Sequence, residues 1–534
     1  MPEPTASSLV SIRPRSSKVG STSREVVQSA GSKELFFAVV GHVGSGTTEV
    51  AKELKNILSS QEVGPAFDVE ILKAREDLVA WDDAHEKVLA NTGDSLSLSY
   101  VQKLQDIGDK MRSENGDHAA VARALVRRIR KTRAQKTGQD LSQDAPIRPD
   151  GTYRAYILDS IRHPAEVELL ARIYQDAFVL VGVVCDEEER QQRIMAKFSD
   201  AGKGRAREFM ERDAKDKPKH GQKVSDAFHL AHFFLDNTEV RKRGERSNPD
   251  WDLAEQLSRL KKILTQCEVV RPYVSETAML AAQGAQLRSA CLSRQVGASV
   301  VDAKGNVIAL GTNEVPRAGG GVYGATDAPD EFDDRCVYSK KYCSNNKEQE
   351  RIVQEVLQTL RRFKIVEDGV SEIRFVEALK GSPIGALLEF SRAVHAEMDA
   401  ILSLARRGIS AEGTRVFVTT FPCHYCARHL VGAGVDEVQY IEPYPKSRAL
   451  ELHEDAIVTR AANWTRPSEG GKKVLFRPFV GVAPRMYSRV FVKGRDLKDS
   501  RGNYEMSQPD WTEPVHLGQL SYIELEARLA ELQA

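Results

Sequence analysis

The chain is short of two things: a surplus of either charge, and long apolar runs. Across 534 residues, Lys plus Arg number 76 and Asp plus Glu also number 76. No global field draws in polyanions, so a stable nucleic-acid partner is not expected. No uninterrupted apolar stretch is long enough to cross a bilayer, and the first residues lack the charged-then-apolar order of a secretory signal. A membrane partner is therefore not expected either. Cysteine is sparse and odd in number, with seven thiols at Cys185, Cys267, Cys291, Cys336, Cys343, Cys423 and Cys426. In a chain this size they do not make a disulfide framework, and a reduced, cytoplasmic protein with a metal site is the expectation. No repeat period is visible.

What is present points to an α/β protein of more than one domain. Residues 1–33, rich in Ser and Arg, are expected to be a disordered tail rather than an organellar leader. Short apolar runs at 35–40, 69–72, 156–158, 179–184 and 233–235 alternate with segments of helical composition. That alternation predicts a parallel sheet covered on both faces over residues 34–267. A second α/β unit is expected over 268–534, with strands at 297–301, 307–311, 414–420 and 437–441 and helices at 394–407 and from Pro422. Between them, about 314–390 is too long for a simple connection and reads as an elaborated cover over an active site. The basic stretch 123–136 reads as a solvated helix face. The charge-dense stretch 201–223 reads either as a solvated helix pair or as a lid over phosphates.

The chemistry is concentrated in one pattern: His395-Ala396-Glu397, then, after a strand, Pro422-Cys423-His424-Tyr425-Cys426. One imidazole and two thiolates fill three corners of a zinc tetrahedron and leave the fourth open, as a catalytic site requires. Cys423 and Cys426, three apart on a first helical turn, point the same way, and a helix N-terminus favours their thiolate forms. Glu397 is two residues beyond His395, off its helical face, and suits a proton carrier better than a ligand. A redox pair or half a zinc ribbon would explain Cys-x-x-Cys alone, but not the upstream His-x-Glu. His424 and His429 read as surface or packing residues. Cys336 and Cys343 read as free thiols, with a second zinc as the alternative.

These residues resemble the cytidine and deoxycytidylate deaminase family, from about residue 273 to 487. Arg288-Ser289-Ala290-Cys291-Leu292-Ser293-Arg294-Gln295-Val296-Gly297-Ala298 is similar to the deoxycytidylate deaminase opening, and Gly311-Thr312-Asn313 to its substrate loop. The resemblance implies zinc on His395, Cys423 and Cys426, Glu397 as proton shuttle, and Asn313 binding the nucleoside. It also implies a cytidine-deaminase-like α/β/α fold and a homo-oligomer. The insertion and the N-terminal half together resemble the bacterial antiviral dCTP deaminases, which join a P-loop kinase-like domain to such a deaminase. Tyr444-Pro445-Lys446-Ser447, Phe476-Arg477-Pro478-Phe479 and Pro484-Arg485 are similar to that family's later segments.

In the N-terminal half, Gly41-His42-Val43-Gly44-Ser45-Gly46-Thr47-Thr48 follows a strand and opens a helix. A P-loop needs backbone N–H groups for phosphate, a Lys for the outer phosphates and a hydroxyl for magnesium. Gly41, Gly44, Ser45, Gly46 and Thr48 supply the first and last, but Thr47 stands where the Lys belongs. Asp159 is the natural second magnesium contact. A nucleotide with Mg2+ is the expected ligand, phosphoryl transfer is not expected, and a degenerate scaffold is the alternative. Asp159-Ser160-Ile161-Arg162-His163-Pro164 and Asp236-Asn237-Thr238 resemble segments of small nucleotide kinases.

The expected substrate is a free deoxycytidine nucleotide, dCTP deaminated to dUTP in antiviral defence, with Arg294 and Lys446 on its phosphates and Arg288 a weaker candidate. Three alternatives stand beside it. One is a housekeeping dCMP deaminase with a nucleotide-sensing P-loop domain; the others are a nucleotide-responsive regulator and a polynucleotide cytosine deaminase.

Overall fold

The structure, a computed structural model, describes residues 32–531 except 92–93, 95, 142–145, 215–220, 240, 244–245, 249, 326–332, 368, 388, 445, 494–496 and 506–520. The tail expected over 1–33 lies outside these residues up to residue 31.

Continuous apolar runs build the first sheet. Strand β1 (Glu34–Val40) is buried at every position, as is β4 (Phe178–Val184), the pattern of strands covered on both faces. With β2 (Asp68–Lys73), β3 (Arg154–Asp159) and β5 (Phe233–Asp236) they form a parallel set in the order β5-β4-β1-β3-β2. Helix α1 (Thr47–Ser59) follows β1 directly after the glycine loop. Fully burying Phe36 and Phe37 of β1 contributes about 1.5–3 kcal/mol each.

The basic stretch 123–136 lies in α2 (Ala120–Thr137), and it is not a solvated face: Arg123, Arg130 and Arg133 are buried. Composition shows the charges but not their partners. Arg133 is fully enclosed and donates to Glu34 at 2.9 and 3.0 Å and to both carboxylate oxygens of Glu526. Tyr522 and Tyr174 add hydroxyl donors to the same two carboxylates. Glu526 and Tyr522 belong to the C-terminal helix Ser521–Glu531, so the far end of the chain is clasped to the first strand.

The second sheet is mixed. Strands β6 (Gly297–Val301), β7 (Val307–Thr312), β8 (Arg415–Thr420), β9 (Glu437–Glu442), β10 (Ile457–Val458) and β11 (Val474–Pro478) take the order β10-β11-β9-β8-β6-β7. β8, β9, β11 and β10 run parallel, and β6 is antiparallel to both β7 and β8. A last strand, β12 (Gly481–Val482), leaves this half and pairs antiparallel with β5 of the first sheet. Helix Val274–Leu287 lies between the sheets, and its Ala278, Met279 and Ala282 join a core that includes β1, β4 and Val482. Among the described residues, the stretch 314–390 contains the α-helices Ser344–Arg362 and Glu372–Lys380.

Candidate active site

Two helix N-termini meet on one face of the second sheet. His395 is the N-cap of α3 (Ala396–Arg406), and Cys423 is the N-cap of α4 (His424–Gly432). Each follows extended backbone: Val394 bridges to Glu314, and β8 delivers Pro422 and Cys423 at its carboxyl end. Cys426 sits one turn into α4, on the side of Cys423. The result is that His395 Nδ1 lies 3.3 Å from Cys423 Sγ and 3.4 Å from Cys426 Sγ.

These three residues offer donor atoms that all lie within 4.8 Å of one another, and no other such group occurs among the described residues. Nitrogen and soft sulfur donors at this spacing fit one small tetrahedral ion held at about 2.0–2.3 Å. Electrostatics agrees with the donor set. A hydrogen bond from Cys426, opposed by burial and reinforced by His395, pulls the Cys423 thiol down to about 4. Cys423 is thus poised as thiolate, the form a metal takes.

Glu397, in the first turn of α3, is 4% exposed and lines the same cleft. Burial first, and the Cys423 thiolate second, push its carboxyl up to about 7. A group balanced at that value both takes and gives protons at neutral pH.

The cleft encloses about 680 Å³ of empty space, open solvent at its mouth included. Asn313 and Arg294, both singled out in the sequence, lie on its wall. Asp399 of α3 accepts the Thr312 N–H at 3.1 Å and fixes the end of β7 beside the helix. Asn313 then donates from Nδ2 to the Arg294 carbonyl at 2.8 Å, while its buried Oδ1 has no partner. That oxygen is available to a ligand donor. Arg294 pairs with Glu442 at 2.9 Å and lies over the Tyr444 ring. Lys446 is elsewhere: its Nζ donates to the Gly385 carbonyl at 3.3 Å, and it is not on the cleft wall.

Sequence reasoning missed Asn345, Ser391, Phe421 and Tyr444, which also line the cleft. Asn345 and Ser391 come from or beside the long insertion, which therefore supplies part of the wall. Cys343 contacts Ser293 Oγ at 3.2 Å and Cys336 contacts Arg392 at 3.5 Å. Neither belongs to a metal-competent group among the described residues.

In the first unit, Gly44 and Gly46 have φ values of 83° and 84°, which favour glycine, and Gly46 caps α1. Thr48 donates to Asp159 Oδ2 at 2.9 Å, so the two residues expected to share a cation are together at the start of α1 and the end of β3. Thr47 opens α1 in the position a lysine would take. Gly41 precedes the turn, and its carbonyl accepts from Arg162 at 3.3 Å. The charge-dense stretch 201–223 contains the packed helix Lys203–Ala214, and residues 215–220 lie outside the described residues. The Asp213 carboxylate of that helix takes the Val43 N–H at 2.8 Å and the Arg162 guanidinium at 2.7 Å, so it touches the loop directly.

Comparison with known proteins agrees with the site. The cytidine and deoxycytidylate deaminase zinc-binding region matches residues 272–442. ComE operon protein 2 of Bacillus subtilis (strain 168) is 40% identical over 70 residues, 13% of this chain and 37% of that protein, so the chain spans little over a third of that relative's length. The deoxycytidylate deaminase of Enterobacteria phage T2 is 30% identical over 165 residues, 30% of this chain and 75% of the phage protein. That of Enterobacteria phage T4 is 31% identical over 161 residues, 30% of this chain and 73% of the phage protein. With three quarters of the phage enzymes' length matched and the His/Cys/Cys group assembled, the chain belongs to the cytidine and deoxycytidylate deaminase family of enzymes.

Proposed function

We propose that the protein hydrolyses the amino group of a free deoxycytidine nucleotide, with zinc held by His395, Cys423 and Cys426. The observation that carries this reading is the buried Glu397 carboxylate beside that donor group in one cleft. When bound, zinc supplies a Lewis acid that brings a water proton into the range a carboxylate can remove. Glu397 takes that proton as the oxygen attacks C4 of the ring, and passes it to N3. It then relays a second proton to the amino group, which leaves as ammonia and yields uracil. Asn313 Oδ1 accepts a hydrogen bond from the nucleoside and holds the ring in register with Glu397. Phe421 and Tyr444 supply apolar walls that exclude bulk water.

As to the nucleotide, dCTP converted to dUTP in antiviral defence is supported by the union of a glycine-loop half with a deaminase half, which resembles the bacterial antiviral enzymes. dCMP is the second reading, favoured by the phage relatives named deoxycytidylate deaminase. The Gly41–Thr48 loop is read as a nucleotide site with Mg2+ at Thr48 and Asp159. A cytoplasmic homo-oligomer is the accompanying proposal, and no helix among the described residues is long and apolar enough to cross a membrane. Purified zinc-loaded protein assayed with dCTP, dCMP, CTP and single-stranded DNA, scored for ammonia, tests the reading. Preference for dCMP overturns the dCTP assignment, and turnover of single-stranded DNA alone overturns the free nucleotide.

A further inference from the structure

The Gly41–Thr48 loop is ringed by polar atoms that the fold does not satisfy. Ser45 is 1% exposed, its Oγ has no hydrogen-bond partner, and that oxygen lies 2.5 Å from where a Cβ on Gly41 would stand. The hydroxyl therefore points into the turn. Asn237 anchors the loop by donating from Nδ2 to the Ser45 carbonyl at 2.9 Å, and its own buried Oδ1 is unpartnered. Arg193, on the helix Glu187–Lys197, uses Nε on Glu189 at 3.0 Å and Nη2 on the Thr238 carbonyl at 2.9 Å. Its Nη1 is buried, unpartnered and 3.6 Å from where a Cβ on Gly46 would stand. Buried donors are costly to leave unmatched, and two of these, the Ser45 hydroxyl and Arg193 Nη1, flank the loop that opens a 13-residue helix, where N–H groups favour an anion.

The same helix Glu187–Lys197 reaches the deaminase half. Near its middle, the Arg190 carbonyl lies only 2.6 Å from the Cβ position of Gly44, so helix and loop are in direct backbone contact. At its start, the N-cap Asp186 accepts from Arg460 at 2.9 Å, and Glu188 pairs with the same guanidinium at 3.4 Å. Partly buried Tyr440 of β9 lies within electrostatic reach of Asp186 and Glu187. The Tyr440 ring packs edge-on against Phe421, centroids 4.8 Å apart, and Phe421 lines the cleft two residues before Cys423.

We propose that the Gly41–Thr48 loop is a regulatory site for the polyphosphate tail of a nucleotide with its divalent cation. Arg193 supplies the positive charge absent at Thr47, and the helix Glu187–Lys197 carries the loop's occupancy to the deaminase cleft. This rests on the reading of the loop as a phosphate binder. The oxyanion meets the Ser45 hydroxyl, the first-turn N–H groups of α1 and Arg193 Nη1, while the cation meets Thr48 and Asp159. Drawing Arg193 toward phosphate moves a helix whose other end is paired with Arg460 and lies near Tyr440, and the two sites are then coupled in both directions.

The test uses the full zinc-loaded chain. Binding of ATP, GTP, dTTP and inorganic tripolyphosphate, each with Mg2+, is measured by calorimetry, and deamination of whichever of dCTP or dCMP is turned over is measured with and without each. At least one nucleoside triphosphate is expected to bind wild type as tightly as tripolyphosphate or tighter and to change the deamination rate at least threefold. Arg193→Met should weaken that binding at least tenfold, and adding Thr47→Lys to it should restore binding, which a misfolded variant would not do. Arg460→Ala should bind the nucleotide as wild type does yet lose its effect on rate. Absence of binding by wild type removes the phosphate-binding reading itself. Undiminished binding in Arg193→Met overturns the assignment of the cation, and binding of tripolyphosphate alone overturns the nucleotide. An unmoved rate in wild type, or an intact effect in Arg460→Ala, overturns the coupling.

Discussion

His395 and Cys423 occupy the same position in two different helices, each the residue just before the first turn, and their Nδ1 and Sγ atoms lie 3.3 Å apart. Both side chains thus project from helix N-termini, where the partial positive charge of the first turn favours thiolate and metal-ligating forms over protonated ones. The pairing explains why the 27 residues between them (positions 28 apart) do not loosen the site: β8 fixes the distance between the two caps. Cys423→Ala or Cys426→Ala should therefore lose zinc and activity together, because three protein ligands are what a catalytic zinc ordinarily has. Metal content by mass spectrometry alongside deamination rate checks this, and full zinc in either variant refutes the ligand set.

Glu397 stands apart from that trio. It lines the cleft and is outside the group whose donor atoms converge. Glu397→Gln is expected to retain zinc and lose about 10²- to 10⁴-fold in rate, since an amide of the same shape cannot carry protons. Loss of metal in this variant would make Glu397 a ligand, contrary to its placement.

The buried clasp at Arg133 makes a prediction about stability. Arg133→Ala leaves the enclosed Glu526 without its counter-charge and the enclosed Glu34 with Arg154 alone, at 3.6 Å. Removing one partner of a buried ion pair costs about 3–5 kcal/mol. For a unit of this size that lowers the melting transition by roughly 6–20 °C. Scanning calorimetry reads it directly, and an unchanged transition would mean the C-terminal helix does not contribute to the fold.

How much of this was legible beforehand follows from the range of the interactions. The central strands β1 and β4 of the first sheet are nearly continuous apolar runs, and the zinc motif is local, so both can be read from residues close in sequence. Arg133 could not be, because its partners lie 99 and 393 positions away. A basic helix buried among carboxylates has the same composition as a solvated one. Asn345 and Ser391 were hidden for a similar reason: nothing in a long insertion marks which of its residues fold back onto a cleft. Lys446 shows the opposite failure. It belongs to a segment that reaches the cleft through Tyr444, but its own side chain turns to the Gly385 carbonyl.

That difference decides which cation should matter for the substrate. Arg294 lines the cleft beside Asn313, and Lys446 does not. Arg294 is already engaged with Glu442, in a half-exposed pair that solvent keeps weak. A phosphate entering the cleft can compete for the guanidinium without breaking a strong contact. Arg294→Ala should then reduce kcat/KM for the deoxycytidine nucleotide about ten- to a hundredfold, the size of a charge-assisted contact of about 1.5–3 kcal/mol. Turnover of bare deoxycytidine should fall far less, because that substrate has no phosphate to lose. Lys446→Ala should leave the ratio of the two rates near its wild-type value. Steady-state rates on both substrates for the two variants decide the matter. An equal loss on nucleotide and nucleoside in Arg294→Ala would give the residue a structural role through Tyr444 and Glu442, and a selective loss in Lys446→Ala would move the phosphate to the far side of the cleft.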